Sequence, residues 1–288
     1  MPLLSIAIIC KNNQTTIGRT LEASGSLAAA VHRQHQSARA NSDRGVHELI
    51  EIVAVDSGST DGTLALLESA GARIIRTDWR GYVGTKQFAL EACRGDWILS
   101  LDSDESPEPE LIETIAALVI AGQASEDAFE INRKIWYAGA FLEHAWQPEW
   151  RLRLVRRGVA RWTGIDPHDK LEVQRHYKEG GAPSVSRLPR SAAIRHDCLE
   201  SPWAFLGRQV SHSRLFAQGL FDAGKRTSPL RLATSPAGAF LKQLLLKRAW
   251  RDGWRGWVAS ACHAAASGMK HACLLHIQHT ASSCKGRP

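Results

Sequence analysis

Asp102, Asp104 and Glu105 stand in "ILSLDSDESPEPEL", residues 98 to 111, directly behind an apolar run. Like charges at close range repel, and burying them is costly unless cations or donors compensate. A capped helix accounts for part of the stretch: Ser106 suits the N-cap, Pro107 the first helical position, and Glu108 and Glu110 the positive end of the dipole. Asp102 and Asp104 precede that cap. On strand alternation they share one face, with Ser103 on the other. Two hard oxygen ligands at a strand terminus suit a divalent cation; a solvated loop feeding a helix is the alternative.

A second acidic strand end is "VDSGSTDGT", residues 55 to 63. Gly58 and Gly62 permit a tight turn, and Ser59, Thr60 and Asp61 offer capping oxygens. Asp56 is left over, suited to accept a hydrogen bond from a base N–H or a sugar hydroxyl. The elements that must position these groups alternate along the chain. Apolar strands at 4–10, 49–56, 72–78 and 96–102 are each followed by a helical pattern, which predicts a parallel sheet covered on both faces. Ligands of such sheets bind outside the carboxyl ends of the strands, and those ends carry Lys11, Asn12, Asp56, Asp78, Asp102 and Asp104.

The whole chain narrows the classes. Its 288 residues, 44% apolar and 23% charged, suit one large domain or a domain with an extension. A formal charge of +7 favours anionic partners. The six cysteines show no CxxC spacing, so neither a zinc site nor a disulfide framework is expected, and a reducing cytosol fits. The N-terminus lacks the basic region of a signal peptide, and no apolar run reaches the roughly eighteen residues of a bilayer span. The arginines form no recognised nucleic-acid module, and the acidic rim would repel phosphate without a metal, so nucleic acid is not an expected partner.

Taken in order, "SIAIICKNN", "VAVDSGSTDGT", "GTKQFALEA" and "WILSLDSDE" resemble the family-2 glycosyltransferases of GT-A fold. More narrowly the chain is similar to the lipopolysaccharide core biosynthesis glucosyltransferase branch. That branch's Trp-Pro-acid-Arg-Leu-Arg-Leu segment and Val-His-Glu step are matched by "WQPEWRLRLVRRG" (146–158) and "DPHDKLEV" (166–173). The resemblance covers roughly residues 4 to 215. It implies an α/β GT-A domain, the Rossmann-like, mostly parallel sheet of nucleotide-diphospho-sugar transferases, over residues 1–225, with a helical extension over 226–288. It also implies a cytoplasmic enzyme at the inner face of the inner membrane that moves a sugar, glucose by analogy, from a UDP-sugar to a lipopolysaccharide-core or other glycolipid acceptor.

By the same resemblance Lys11, Asn12 and Asp61 belong to the donor side, Asp56 holds the uracil edge, and Lys86 lies in the helix facing the donor. Asp102 and Asp104 form the DxD that reaches the ribose and a Mg²⁺ or Mn²⁺ on the diphosphate. His196 matches a family histidine with a metal or diphosphate role, or is a packed histidine. An inverting transfer needs one base and no covalent intermediate. Here Pro167-His168-Asp169 replaces Val-His-Glu, which makes Asp169 the base and turns His168 toward diphosphate or acceptor. Asp166 and Glu149 are rivals, and a proline-containing turn whose aspartates satisfy backbone N–H groups is the plain alternative. Asn13 stands where relatives commonly carry Glu.

Other segments carry looser expectations. Residues 24–48 read as a longer helix and a mobile loop, with His32, His35 and His47 as surface histidines. In "RLRLV" (151–155), Arg151, Arg153 and Val155 share a face, either a charge-guarded edge strand or a cradle for an anionic acceptor. Trp136, Tyr137, Trp146, Trp150 and Trp162 divide between sugar stacking and core. From Phe240 the chain reads as one or two helices, and their basic amphipathic face with tryptophans either lies on an anionic membrane or packs its stripe inward. Two other functions remain compatible: a nucleotidyltransferase, and a non-catalytic nucleotide-sugar-binding relative that has lost its base.

Overall fold

The computed structural model describes residues 2–38, 49–122, 125–174 and 183–285. It divides into two compact units: Met1–Arg133 with Trp150–Thr163 and Lys170–His196, and Lys134–Glu149 with Gly164–Asp169 and Asp197–Pro288. In chain order the elements are β1 (Leu4–Cys10), α1 (Ile17–Ala38), β2 (Ile50–Asp56), α2 (Thr63–Ser69), β3 (Arg73–Arg76), α3 (Gly81–Ala92), β4 (Trp97–Asp102), β5 (Glu105–Pro107) and α4 (Pro109–Ala121). There follow β6 (Ala128–Tyr137), β7 (Ala140–Phe141), β8 (Trp150–Arg156), β9 (Ala160–Ile165), β10 (His168–Val173), β11 (Val185–Arg187), β12 (Ala193–His196), α5 (Pro202–Asp222), α6 (Pro229–Leu241) and α7 (Trp254–Lys285).

In the first unit every residue of β1 is buried, because helices cover both faces of the sheet and a solvent-facing alternation has no place. β1 pairs in parallel with β2 on one side and β4 on the other, with Ile6 between Ile52 and Leu99. The same register sets Cys10 beside Asp56 and Ile9 beside Asp102, so both acidic strand ends reach one rim. The strand order is β3-β2-β1-β4-β8-β6-β12-β5. β8 runs antiparallel to β4, Leu99 opposite Leu154, and lies inside the sheet. The edge-strand reading of "RLRLV" is thereby overturned: Arg153 is 4% exposed. Ile6, Ile8, Leu99 and Leu101 fill the core on one face, and Ala7, Ile9, Val53, Val55 and Ile98 on the other.

Two local expectations fail for physical reasons. Ser106 and Pro107 do not start a helix. They belong to β5, which pairs antiparallel with β12 and satisfies its backbone there, so Pro109 takes the first turn of α4 behind a Glu108 cap. His35 is not a surface residue: α1 turns it inward, and it is 3% exposed. The loop expected at the end of 24–48, with His47, lies outside the described residues. Of the five aromatics divided between sugar stacking and core, Tyr137 and Trp162 are core at 6% and 3% exposure.

In the second unit α5, α6 and α7 pack together, and β7 pairs with the end of β6. The helix Pro202–Asp222 thus groups with the C-terminal helices. Of the one or two helices expected from Phe240, the structure has two, parted by a corner. Lys242–Leu246 forms a π turn, Arg248 takes φ +57°, Ala249–Asp252 makes a 3₁₀ turn and Gly253 takes φ +61° before α7 begins. Gly256 makes this fold-back feasible, since a Cβ there would fall 1.7 Å from the Ala249 carbonyl oxygen.

Candidate active site

The rim of the first unit holds two groups of side chains. Around Asp56, 1% exposed, the following turn wraps its own backbone. The N–H groups of Gly58 and Ser59 donate to the Asp56 carboxylate at 3.0 Å each. Gly58 reaches this position at φ +86°, a conformation that favours glycine. Burial and then Asp56 push the neighbouring Cys10 thiol up to about 12, so it stays protonated. Asn12, at φ +54°, accepts from the Thr60 N–H at 2.8 Å and donates its own N–H to Ser59 Oγ at 2.9 Å. Asp61 accepts from the N–H groups of Gln14 at 3.1 Å and Thr63 at 3.0 Å. Asn12 and Asp61 therefore lace the loops after β1 and β2 together. Asn13 accepts the Lys11 N–H at 2.8 Å, and its carbonyl accepts the first helical N–H of α1, from Ile17, at 2.9 Å. The Lys11 side chain is exposed.

The second group gathers at the end of β4. Lys86, from α3, places Nζ 2.6 Å from Asp102 Oδ1, and Arg153, from β8, places Nη2 3.0 Å from Oδ2. The same Arg153 nitrogen lies 2.6 Å from Glu105 Oε1, which Arg133 also reaches at 2.8 Å. Glu105 is fully buried and accepts the Asp102 N–H at 3.1 Å. Trp162 lies beneath the cations, its ring 4.6 Å from Lys86 Nζ. Burial pushes the Asp102 carboxyl upward, but Lys86 and Arg153 outweigh it and hold the group well below the usual carboxylate range.

Asp104 follows in the turn after β4, not on the strand, so alternation does not place it. His196, from β12, sets Nε2 3.4 Å from Asp104 Oδ2. Burial raises the Asp104 carboxyl, and the facing His196 brings it below its ordinary value. Lys86, Arg133 and Arg153 balance Asp102, Asp104 and Glu105, so the cluster is polar without being strongly charged.

Among the described residues no trio of His, Cys, Asp and Glu is assembled as a metal cage. The chemistry of the donor set still fits Mg²⁺ or Mn²⁺. Asp104 and His196 offer one oxygen and one nitrogen, and such ions commonly complete their shells with substrate phosphate and water. Both Asp102 oxygens already face cations.

Asp169 and His168 fall in the second unit, at the tip of the β9–β10 hairpin. The turn between those strands is Asp166-Pro167. Gly164 takes φ +111° beneath the His168 carbonyl, 2.6 Å from where a Cβ would sit. Helix α5 braces this tip: the His168 ring meets Phe216 edge-on at 4.1 Å, and a Cβ on Gly219 would meet Ile165 Cγ2 at 2.2 Å. Glu149 precedes β8 in the same unit.

Sequence reading missed Glu105, Arg133 and Arg153 as members of the cluster. The available signal was the acidity itself, since buried carboxylates require nearby cations.

The fold is α/β, with a mixed sheet that is parallel through β3-β2-β1-β4 and carries its acidic groups on one rim. Residues 5–125 match the family Glycosyl transferase family 2. A lipopolysaccharide core biosynthesis glycosyltransferase, LpsC of Rhizobium meliloti, is 29% identical over 88% of this chain and 85% of its own length. An undecaprenyl-phosphate 4-deoxy-4-formamido-L-arabinose transferase of Pseudomonas paraeruginosa is 28% identical over 74% and 69%. The crystal structure of S. aureus TarS 1-349 in complex with UDP-GlcNAc is 15% identical, with a TM-score of 0.47 over 93% of this chain and 91% of that one. The chain is a glycosyltransferase, similar over its residues 5–125 to family 2.

Proposed function

We propose that the protein is a metal-dependent inverting transferase that moves a sugar from a UDP-sugar to a lipopolysaccharide-core or related glycolipid acceptor at the cytoplasmic face of the inner membrane. The observation that carries this is the end of β4: Asp102 fixed between Lys86 and Arg153, with Asp104 beside His196 in the next turn. Asp56 takes the uracil edge, with the loop laced by Asn12 and Asp61 forming the floor and Lys11 at its margin. Asp102, its orientation fixed by two cations, accepts from the ribose hydroxyls. Asp104 and His196 hold the Mg²⁺ or Mn²⁺, which when bound neutralises charge on the departing diphosphate. Asp169 takes the acceptor's hydroxyl proton as base, and His168 orients the acceptor or the diphosphate; Asp166 and Glu149 are the other carboxylates to test. The names of the Rhizobium and Pseudomonas relatives support an acceptor in the cell envelope.

UDP release by the purified protein, with Mn²⁺ or Mg²⁺ and a panel of UDP-sugars, tests the reading. Release should need metal, favour one sugar, rise with deacylated lipopolysaccharide core and vanish in Asp104→Asn. Pyrophosphate release instead would indicate a nucleotidyltransferase. Donor binding without turnover, unchanged by Asp169→Ala, would indicate a non-catalytic relative.

A further inference from the structure

The break between α6 and α7 exposes a run of large apolar side chains. Leu245, Leu246, Trp250, Trp254 and Trp257 are 57%, 79%, 54%, 56% and 51% exposed, all within thirteen residues of chain about the corner. Isolated exposed side chains need no explanation, but a run of large ones at one turn does. Exposed cations accompany them: Lys242 precedes the run, and Arg248 and Arg251 lie within it. Arg248 sits at φ +57°, in the turn itself.

The acid in this region has been withdrawn. From Ala223 to the C-terminus Asp252 is the sole Asp or Glu in the sequence. Its side chain is 5% exposed, because its carboxylate accepts the backbone N–H groups of Glu143, His144 and Ala145 at 3.1, 3.1 and 2.8 Å and faces His144 Nδ1 at 2.9 Å. The corner therefore presents tryptophan, leucine and positive charge, with its one carboxylate facing inward.

We infer that this helical corner is a dock for an anionic lipid surface, into which the tryptophans and leucines insert while the basic side chains meet the headgroups. Tryptophan rings favour the headgroup boundary, and basic residues beside them add attraction to negative lipid. No helix among the described residues is long and apolar enough to cross a membrane, so the corner would lie on the surface. The inference deepens the glycolipid-acceptor reading by naming the part of the chain that brings the enzyme to its acceptor. None of its residues is among those assigned to the site.

The test is sedimentation of the full-length protein with phosphatidylcholine vesicles, with and without about one-third phosphatidylglycerol, alongside size-exclusion chromatography. Wild type should bind the anionic vesicles and lose binding as salt rises, because the Debye length shrinks. Leu246→Glu and Trp250→Ala/Trp254→Ala should weaken partition at least tenfold. Arg248→Ala/Arg251→Ala should weaken it roughly thirtyfold on anionic vesicles, at about a fivefold factor per basic residue, and leave neutral vesicles unaffected. UDP release with the water-soluble, deacylated acceptor should be unchanged in all of them. That arm separates failure of the dock from failure of the transferase reading. Equal binding of wild type and variants would overturn the inference. So would a dimer that the same substitutions dissociate, because the occupant would then be a second copy of the chain.

Discussion

The two ends of the sheet in the first unit hold ionic clusters of different kinds. At the start of the strands Glu51 accepts from Ser5 Oγ at 2.6 Å, from the Arg94 N–H at 2.6 Å and from Arg73 at 3.1 Å. Arg73 donates onward to the Ala92 carbonyl at 2.6 Å, and Ser5 Oγ accepts the Gly95 N–H at 2.7 Å. One carboxylate thus ties β1, β2, β3 and the approach to β4, with its cation still 31% exposed. At the finishing end, Lys86 and Arg153 are only 6% and 5% exposed; Lys86 pairs with Asp102, and Arg153 is shared between Asp102 and Glu105. A buried ionic network of that size is a poor source of stability, since desolvation consumes most of the attraction. On the proposed function, its value would lie in holding charged groups at fixed positions for a charged ligand, whereas the Glu51 cluster ties strands together as a clasp.

The largest difference should appear on removing a carboxylate at the finishing end. Asp102→Asn and Asp104→Asn should each cost about a hundredfold or more in UDP release, the scale for losing one preorganised electrostatic group. Chelation of divalent metal should do the same to wild type, and adding Mn²⁺ should restore it. If Asp104→Asn kept its turnover, the two ends would be equivalent and the contrast would collapse.

Next in size is Glu105→Gln, which removes the shared partner of Arg133 and Arg153. Thermal or urea unfolding should register a loss of about 3–5 kcal/mol, the usual cost of stranding a buried charge. Pairing Glu105→Leu with Arg153→Met should recover much of that stability while turnover stays low, because Asp102 then lacks one of its two cations. Recovery of both together would show that the cluster is only structural.

At the opposite end Glu51→Gln should cost about 1–2 kcal/mol and leave turnover per folded molecule unchanged. Burial raises the Glu51 carboxyl, but Ser5, the Arg94 N–H and Arg73 outweigh it, so its folded pKa lies below the unfolded one. The stability it contributes is therefore complete above the ordinary glutamate range and is lost as pH falls through that range to the folded value. Urea midpoints of wild type and Glu51→Gln should accordingly converge in acid and separate toward neutral pH.

This contrast was only partly legible in the sequence. β1, β2 and β4 were readable nearly to the residue, because strands buried on both faces are continuous apolar runs and their polar endings are abrupt. Asp56, Lys86, Asp102 and Asp104 were readable because they follow those runs or lie in quoted motifs. Arg153 was misplaced, since its partners are 48 and 51 residues away in sequence and local alternation offers only a facing direction. Ser106 was misread for a similar reason: a short stretch can pair with a distant strand such as β12 as readily as it can cap a helix, and tertiary pairing decides. Periodicity left one or two helices open after Phe240 because the apolar spacing continues through the corner, while Gly253 and Gly256 allow the backbone to turn there.

The finest test uses one buried hydroxyl at each end. Ser5 is fully buried within the Glu51 clasp, and Thr20, 1% exposed in α1, donates to the Ser103 carbonyl at 3.1 Å. Ser103 lies between Asp102 and Asp104, so Thr20 restrains the turn that carries Asp104 without touching either carboxylate. Ser5→Ala and Thr20→Val should each cost about 1 kcal/mol, the net worth of a buried hydrogen bond. Their effects on UDP release should part: none for Ser5→Ala, and a fall of about threefold to tenfold for Thr20→Val as Asp104 loses its fixed position. A threonine whose loss lowers kcat at saturating metal, and serine's loss that does not, would locate the functional end of the sheet by a hydroxyl alone.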